Sequence, residues 1–234
     1  MIRWLGPGDP FPPVDTALRD PNGLLAAGAD LSSPRLLDAY RRGIFPWSAD
    51  EEPILWWAPD PRMVLFVDEL HVTRSLRRRI RSGLFTVTAD LAFDDVVLGC
   101  ADPRPDGEGT WITSAIAAAY GELHRTGHAH SIETWIGDEL VGGLYGVTIG
   151  RMFYGESMFT RESDASKIAL AFLVRQLQRW EFEMIDCQMS TEHLASLGAR
   201  EIPRREFLAR VEALTSQPAV PAPWHLDSDL ASTF

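Results

Sequence analysis

The chain has little cysteine and no long hydrophobic run, and both absences narrow its class. Its two cysteines, Cys100 and Cys187, are too few and too far apart for a disulfide framework. No window approaches the roughly 18 consecutive apolar residues of a membrane-spanning helix. Glycine and proline also break the N-terminus before a signal-peptide hydrophobic region forms. We therefore expect a cytoplasmic protein without a membrane segment.

Positive charge is scarce, because 22 lysine and arginine residues stand against 33 aspartate and glutamate residues, a net charge of −11. This balance argues against nucleic-acid binding over the whole surface. One segment reverses it, with five arginines in eight residues and no acid among them: Arg74, Arg77, Arg78, Arg79 and Arg81. One interpretation of such a run is a solvated helix face without a binding role. In so acidic a protein the run favours a local patch that binds phosphate groups.

Turn residues divide the 234 residues into two predicted domains, 1–62 and 63–234. In the first, the aromatic and proline-punctuated segments 44–47 and 54–62 are typical of a compact cap rather than of regular structure. Ser33 followed by Pro34 predicts a helix start, with Ser33 as the N-cap. The first domain is therefore expected to be small and only partly regular.

Cap and turn residues also outline the second domain. Thr73, Asp90 and Thr113 (or Ser114) predict three helix starts, and a polar loop is expected over 101–109. Three strands separated by Gly137-Asp138 and Gly150-Arg151 predict an antiparallel meander over residues 131–159.

An apolar helix over 165–180, a strand over 184–188 and two short helices follow the meander. The proline-containing tail from residue 217 is expected to be extended or loosely ordered. The predicted fold class is α+β, with a mixed, mostly antiparallel sheet flanked by helices.

Two predicted strands, 153–159 and 184–188, carry polar side chains among residues suited to a core. These side chains are Glu156, Asp186 and Gln188. A buried carboxylate is costly unless it is paired or used in chemistry. Because one helix joins the two strands, they should lie parallel and adjacent, which would bring the three polar groups to one cleft.

A meander, a crossing helix and a further parallel strand follow the order of GNAT-type acyltransferases. Those proteins usually bind coenzyme A pyrophosphate at a glycine-rich turn before the helix. The corresponding turn here, 160–166, has no glycine and carries Glu162 and Asp164, whose charges would repel a pyrophosphate. An acyl carrier other than coenzyme A is therefore expected.

Eight motifs, in order along the chain, carry a family resemblance: NGLLA at 22–26, RGIFPW at 42–47, WWAPDPR at 56–62, GTWI at 109–112, GHAHSIE at 127–133, LVGGLYG at 140–146, GESMF at 155–159 and IDCQ at 185–188. Over about residues 11–210 the chain resembles bacterial leucyl/phenylalanyl-tRNA–protein transferases, whose catalytic domain is GNAT-like. The resemblance implies transfer of leucine, or of phenylalanine or methionine, from aminoacyl-tRNA to the N-terminal arginine or lysine of a protein. That product marks the protein for degradation. No cofactor is implied.

The resemblance implies that Asp186 and Gln188 are catalytic. They are two residues apart on a strand, so their side chains should share a face. Asp186 would supply negative charge to the incoming amine, and its own charge should be removable with little disturbance of packing. Gln188 would orient the amine or relay its proton. A lone amide is a poor base, so positioning is favoured, with base catalysis or a substrate hydroxyl left open.

Substrate-binding residues are also implied by the resemblance, although composition alone would place most of them in a core. An indole can stack on a base, which suits Trp47 and Trp111 to the adenosine end of the donor. Some of the residues Leu144, Phe153, Met158, Leu170 and Ile185 would line the apolar acyl pocket for the leucine side chain, where Met158 suits a pocket that admits two shapes. The complete implied set is Trp47, Trp111, Leu144, Phe153, Glu156, Ser157, Met158, Leu170 and Ile185.

Three histidines, His124, His128 and His130, invite a metal interpretation. A helix end and a strand would present them in divergent directions, so no metal is expected. Two other functions remain open: a GNAT acetyltransferase that uses acetyl-coenzyme A, and a non-catalytic RNA-binding module built on the arginine helix. The second gives no reason for Asp186 and Gln188 to occupy a buried strand.

Overall fold

The structure is a computed structural model, and it describes residues 2–48, 53–102 and 111–234. These residues form two β-sheets, one of four strands and one of seven. Most of the predicted loop 101–109, and the first two residues of the GTWI motif, lie outside the described residues.

The smaller sheet lies in the N-terminal part of the chain. Its strands are β1 (Arg3–Leu5), β2 (Leu24–Gly28), β3 (Phe45–Pro46) and β4 (Leu55–Trp57), in the spatial order β1-β2-β4-β3. The aromatic segments expected to be irregular thus contain two short strands, because β4 pairs antiparallel with β2 and β3. Helix α1 (Ser33–Arg41) begins with Ser32 at the cap position, one residue earlier than predicted.

The larger sheet has the spatial order β11-β5-β10-β9-β8-β7-β6. Its strands are β5 (Arg62–Phe66), β6 (Thr86–Ala89), β7 (Ala129–Ile136), β8 (Glu139–Ile149), β9 (Met152–Thr160), β10 (Met184–Gln188) and β11 (Arg200–Ile202). Neighbouring strands are antiparallel except for β9 and β10. The predicted class, α+β with a mixed and mostly antiparallel sheet, is confirmed, and so is the order of meander, crossing helix and parallel strand.

In the described residues, six further α-helices accompany this sheet: α2 (Arg74–Ile80), α3 (Phe93–Ala101), α4 (Ser114–Arg125), α5 (Ala165–Arg179), α6 (Glu192–Ser196) and α7 (Arg204–Thr215). The predicted caps Thr73 and Thr113 are confirmed, because each side-chain oxygen accepts the backbone N–H of the residue three positions later, both at 3.2 Å. Helix α5 crosses from β9 to β10, which allows these two strands to run parallel.

Asp90 does not cap α3, so that prediction was wrong. Helix α3 begins at Phe93 without a side-chain cap, and Asp90 has a φ of 55° in the left-handed region. Its carboxylate instead accepts the backbone N–H of Ser131 at 3.0 Å and that of Trp224 at 2.7 Å. Asp90 therefore joins the C-terminal tail to the sheet.

The tail beyond residue 217 is also different from the prediction of a loosely ordered segment. Trp224, Leu230 and Phe234 are buried although most residues between them are exposed. The Trp224 indole stacks on the His130 ring, with the centroids 3.8 Å apart. These side chains anchor the tail to the core, and the prolines 218, 221 and 223 only keep its backbone irregular.

One hydrophobic cluster extends through both sheets, since Trp56 of β4, Val64 of β5 and Tyr154 of β9 belong to it. A second cluster lies on the α5 side and includes Trp224. The boundary at residue 62 stays a prediction. Among the described residues, no helix has the length and apolar character required to cross a membrane, and neither cysteine forms a disulfide.

Candidate active site

Two strands meet in parallel near the middle of the larger sheet. Ile185 of β10 lies opposite Phe153 of β9, and Asp186 lies opposite Tyr154, which confirms that the two predicted strands are parallel and adjacent. The parallel register ends at this pair. Residues 155–158 and 187–188, which follow on the two strands, are partly exposed although the strands are central. Solvent therefore reaches the sheet where the two strands stop pairing.

A β-bulge lies between Asp186 and Gln188. The antiparallel register of β10 with β5 shifts at this point, and Gln188 has a φ of 62°, which is uncommon for a residue other than glycine. A bulge can break the two-residue alternation of a strand, but both side chains lie beside Glu156 here, since the Gln188 amide donates to it and the charge of Asp186 acts on it. The contacts therefore agree with the predicted shared face, and the Gln188 backbone N–H also donates to Asp186 Oδ1 at 2.9 Å.

Asp186 forms a bidentate ion pair with Arg62 of β5. Nε donates to Oδ1 at 2.8 Å and Nη2 donates to Oδ2 at 2.7 Å, and the two side chains are 1% and 0% exposed. The guanidinium also lies between the rings of Phe45 and Phe207, 4.7 Å from each centroid. A buried charge of this kind requires its partner, because desolvating an unpaired ion is costly.

The expectation that the charge of Asp186 is removable with little disturbance of packing is therefore wrong. Without that carboxylate, Arg62 would be a buried and uncompensated cation. Sequence reasoning did not find Arg62, which closes the WWAPDPR motif, because its partner lies 124 residues away.

Glu156 of β9 is the centre of a second polar network. Its Oε1 accepts the Tyr40 hydroxyl at 2.7 Å and the Gln188 Nε2 amide at 3.0 Å. Its Oε2 is 2.9 Å from the Tyr120 hydroxyl oxygen, and the two tyrosine oxygens are 2.5 Å apart. Glu156, Gln188 and Asp186 therefore do come together, as the sequence predicted. The two tyrosines, on α1 and α4, carried no local signal that marked them as members of the site.

Burial raises the pKa of the Glu156 carboxyl to about 7. Hydrogen bonds from Tyr40 and Tyr120 act in the opposite direction, as does the charge of Arg62, while the charge of Asp186 adds to the increase. Burial also raises the pKa values of both tyrosines well above the usual range, so these hydroxyls stay protonated. The pKa of Glu156 is thus in the range that suits proton transfer at neutral pH.

The implied acyl-pocket residues are largely gathered in one place. Leu144, Phe153, Leu170 and Ile185 belong to the second hydrophobic cluster, and Met158 packs against it. Trp224 lies in the same cluster, with its ring centroid 6.1 Å from that of Phe153. Sequence reasoning missed this tryptophan because it treated the tail as loosely ordered.

The remaining implied substrate residues lie elsewhere or on the rim. Ser157 is partly exposed on β9, opposite Tyr145. Trp47 is 48% exposed and packs edge-on against Trp57, with the ring centroids 5.7 Å apart. Trp111 is partly buried against the first cluster, so it does not join the residues around Phe153.

The five arginines of the predicted phosphate patch are not equivalent. Arg79 donates to the Ser163 carbonyl at 2.9 Å and lies 3.7 Å from the Asp164 carboxylate, while Arg81 donates to the carbonyl of Phe234. The other three, Arg74, Arg77 and Arg78, are exposed on α2. These three are the residues suited to contact phosphates, and one of them, Arg78, lines a cleft of about 380 Å³ together with Arg79 and Phe85.

Two of the histidines lie near Asp90. His130 Nδ1 is 2.8 Å from Asp90 Oδ2, whereas His124 Nδ1 is 4.0 Å from Asp90 Oδ1 and 2.8 Å from the Ala129 carbonyl, and the His124 ring stacks on Phe93. In the described part of the chain, no group of three or more histidine, cysteine or acidic side chains is arranged to hold a metal ion.

Two solved structures resemble this chain with TM-scores below 0.5. A structure of L-PGS from Bacillus licheniformis matches with a TM-score of 0.42 at 8% identity, covering 70% of this chain and 54% of that one. A GCN5-related N-acetyltransferase from Kribbella flavida matches with a TM-score of 0.39 at 9% identity, covering 70% of this chain and 59% of that one.

Curated sequences resemble this chain closely over nearly its whole length. A leucyl/phenylalanyl-tRNA–protein transferase of Thiobacillus denitrificans is 62% identical over 218 residues, which is 93% of this chain and 96% of the relative. One of Nitrosospira multiformis is 58% identical over 229 residues, which is 98% of this chain and 99% of the relative. The family model for leucyl/phenylalanyl-tRNA protein transferase matches residues 64–212, and the model for its N-terminal domain matches residues 29–60. The chain therefore belongs to the leucyl/phenylalanyl-tRNA–protein transferase family and is an aminoacyltransferase.

Proposed function

We propose that this enzyme moves leucine, and less readily phenylalanine or methionine, from its tRNA to the N-terminal arginine or lysine of a protein. The transfer takes place in the cytoplasm and creates an N-terminus that marks the protein for degradation. One observation carries the proposal: the family models match residues 29–60 and 64–212, which include β3 and β4 of the smaller sheet and nearly all of the larger sheet, and the polar network lies where the two central strands separate.

The chemistry requires little beyond positioning and proton management. The aminoacyl ester of tRNA is already activated, and the reaction is attack of a neutral amine on its carbonyl carbon. The Gln188 Nε2 donates to Glu156 Oε1. Within the described residues, the amide oxygen of Gln188 has no hydrogen-bond partner. That oxygen is suited to accept an N–H of the incoming amine and hold it towards the ester.

Asp186 supports this arrangement from behind. Both of its oxygens are used by Arg62, and Oδ1 also holds the backbone N–H of Gln188. We infer that its main contribution is to fix the bulge and thereby aim the Gln188 side chain. Its negative charge, balanced by Arg62, contributes less to the attraction of an amine than the sequence alone suggested.

Acetyl-coenzyme A is a poorer fit as the acyl donor. Asp164, at the turn before α5, lies 3.7 Å from Arg79 and 3.2 Å from Lys167, so its charge is largely balanced and repels an anion less than expected. The turn still offers no glycine for close backbone approach. The exposed arginines of α2 suit a polyanion such as tRNA better than a single pyrophosphate.

Transfer of radiolabelled leucine tests the proposal directly. Leucyl-tRNA is incubated with the enzyme and a protein that begins with arginine, and label should enter the protein. The same protein beginning with alanine is the matched control and should stay unlabelled. Labelling from acetyl-coenzyme A in place of leucyl-tRNA would favour the acetyltransferase, and equal labelling of both acceptors would refute the N-terminal specificity.

A further inference from the structure

The Glu156 carboxyl group and the hydroxyl groups of Tyr40 and Tyr120 form a closed ring of three contacts. Tyr40 and Tyr120 are 2.5 Å apart, Tyr40 is 2.7 Å from Oε1, and Tyr120 is 2.9 Å from Oε2. All three distances are within the range of O–H···O hydrogen bonds. Each such contact needs one proton, because two oxygen lone pairs facing each other at this distance repel.

The number of protons available to the ring determines the protonation state of Glu156. The two tyrosine hydroxyls supply two protons, and an ionised carboxylate supplies none, so one of the three contacts would lack a hydrogen. If Glu156 is protonated, its O–H donates from Oε2 to Tyr120, Tyr120 donates to Tyr40, and Tyr40 donates to Oε1. All three contacts are then satisfied, and the reversed direction around the ring satisfies them equally.

We propose that Glu156 stands as a neutral carboxylic acid in the free enzyme, closed into a ring with Tyr40 and Tyr120, and that it protonates the leaving ribose oxygen during transfer. The protonation state stands on the ring geometry alone, whereas the catalytic role rests on the proposed function. Glu156 is partly exposed and 3.0 Å from the Gln188 amide, so it can meet a substrate held by Gln188.

The proton movements balance. As the amine nitrogen bonds to the carbonyl carbon, the ester C–O bond breaks and the ribose oxygen keeps its electron pair. That oxygen takes the proton of the Glu156 carboxyl. The carboxylate then takes the surplus proton from the nitrogen, so the enzyme returns to its starting state with a new amide and a free tRNA hydroxyl.

The neighbouring groups leave this task to Glu156. Both carboxylate oxygens of Asp186 accept hydrogen bonds from Arg62, the Gln188 amide does not release a proton at neutral pH, and both tyrosines hold theirs because burial raises their pKa values. The polar groups that surround Glu156 come from five elements: Tyr40 on α1, Arg62 on β5, Tyr120 on α4, Tyr145 on β8, and Asp186 and Gln188 on β10. Burial raises the pKa of Glu156 to about 7, which also favours the protonated acid.

The protonation state is measured without any tRNA. Carbon-13 NMR of protein labelled at glutamate side-chain carboxyls gives the Glu156 signal as the one that disappears in Glu156→Gln. If that variant does not fold, the signal is assigned by its displacement in Tyr120→Phe. We expect a protonated carboxyl at pH 6 that loses its proton well above the usual range for glutamate. An ionised Glu156 at pH 6 would overturn the ring.

A matched control separates the ring from general burial. Tyr145 is fully buried on β8, packs edge-on against Tyr120 and has a hydroxyl without a partner in the described residues. Tyr145→Phe should leave the Glu156 titration midpoint in place, whereas Tyr40→Phe and Tyr120→Phe should move it. A midpoint that is indifferent to Tyr40 and Tyr120 would show that the ring does not set the protonation state.

The catalytic role is measured by single-turnover transfer from leucyl-tRNA. Glu156→Gln keeps the shape and the polar contacts of the neutral acid but has no acidic proton, so transfer should slow by about 10²-fold or more with unchanged tRNA affinity. Tyr145→Phe should transfer at the wild-type rate. Full activity of Glu156→Gln would overturn the acid role. Failure of the wild type to transfer leucine, with Glu156 still protonated, would refute the proposed function and leave the ring standing.

Discussion

Arg62 and Asp186 show how a single buried pair can support both the fold and the site. The pair is bidentate, almost inaccessible to solvent, and enclosed by Phe45 and Phe207. The same carboxylate holds the backbone of Gln188. Damage to the pair is therefore expected to affect stability and transfer together, and the two effects must be measured separately.

Asp186→Asn should lower the free energy of unfolding by about 3–5 kcal/mol, because it leaves the Arg62 cation buried without its partner. Transfer of leucine should also fall by about 10²-fold or more, since Gln188 loses its fixed orientation. Urea unfolding and single-turnover transfer measure the two effects. An unchanged urea midpoint would contradict the importance of the pair.

The double variant Arg62→Met/Asp186→Leu is the control for that experiment. Replacing both charges with apolar side chains removes the unpaired cation, so most of the lost stability should return. Transfer should stay low, because nothing then holds the Gln188 backbone. Wild-type transfer by the double variant would mean that neither charge is needed for the reaction.

Glu156 gives the protein a specific pH dependence. Its pKa in the folded protein is about 7, above the ordinary value of 4.5, so between these values the folded protein holds a proton that the unfolded chain releases. Stability should therefore fall as pH rises through this window, by at most about 3 kcal/mol. Glu156→Gln cannot ionise and should lack that part of the slope. Parallel urea series at pH 5 and pH 8 check this, and a constant difference between the two proteins would refute it.

At the scale of elements, local signals predicted well and distant partners did not. Thr73 and Thr113 were correctly identified as caps because the cap oxygen and the backbone N–H that donates to it lie three residues apart. Asp90 has the same composition signal, but partners more than 40 residues away hold its side chain. The bulge at Gln188 was also invisible, since it depends on the register with β5. The converging polar cluster was predictable because one crossing helix fixes the two strands.

Helix α2 provides a test of the tRNA interface. Replacing the three exposed arginines, Arg74, Arg77 and Arg78, with alanine should weaken tRNA binding. The slope of log affinity against log salt should become less steep by about 2–3 units if each arginine contacts one phosphate. Filter binding over a range of salt concentrations measures this slope, and an unchanged slope would exclude the patch.

Two internally bonded arginines, Arg79 on α2 and Arg81 directly after it, are the matched controls. Arg79→Ala and Arg81→Ala remove contacts to Ser163, Asp164 and Phe234. They should change the salt slope less than the exposed arginines do. A slope change as large as that of the triple variant would show that the internal contacts open when tRNA binds.

At the scale of the whole molecule, the C-terminal tail packs into the second hydrophobic cluster. Trp224 is 1% exposed and packs against His130, Phe153 and Trp180, so the tail contributes to the same cluster as the implied acyl pocket. Its local sequence, rich in proline and polar residues, gave no indication of this. Contacts between residues nearly a hundred positions apart override local composition here.

Trp224→Ala should destabilise the protein by about 3–5 kcal/mol, because it leaves a large cavity in the second cluster. Trp4, which is 67% exposed, is the matched control, and Trp4→Ala should change stability by no more than about 0.5 kcal/mol. Urea midpoints followed by circular dichroism make the comparison. Equal midpoints for the two variants would show that the tail does not support the core.

The position of β5 has a consequence for how the chain is made. In space β5 lies between β10 and β11, yet the ribosome produces Asp186 124 residues after Arg62. At about 5–20 residues per second this delay is roughly 6–25 seconds. During that time the nascent strand has two unpaired edges and an unneutralised arginine, and unpaired edges invite association with other strands. Newly synthesised chains should therefore depend on chaperones until the last third of the protein has emerged.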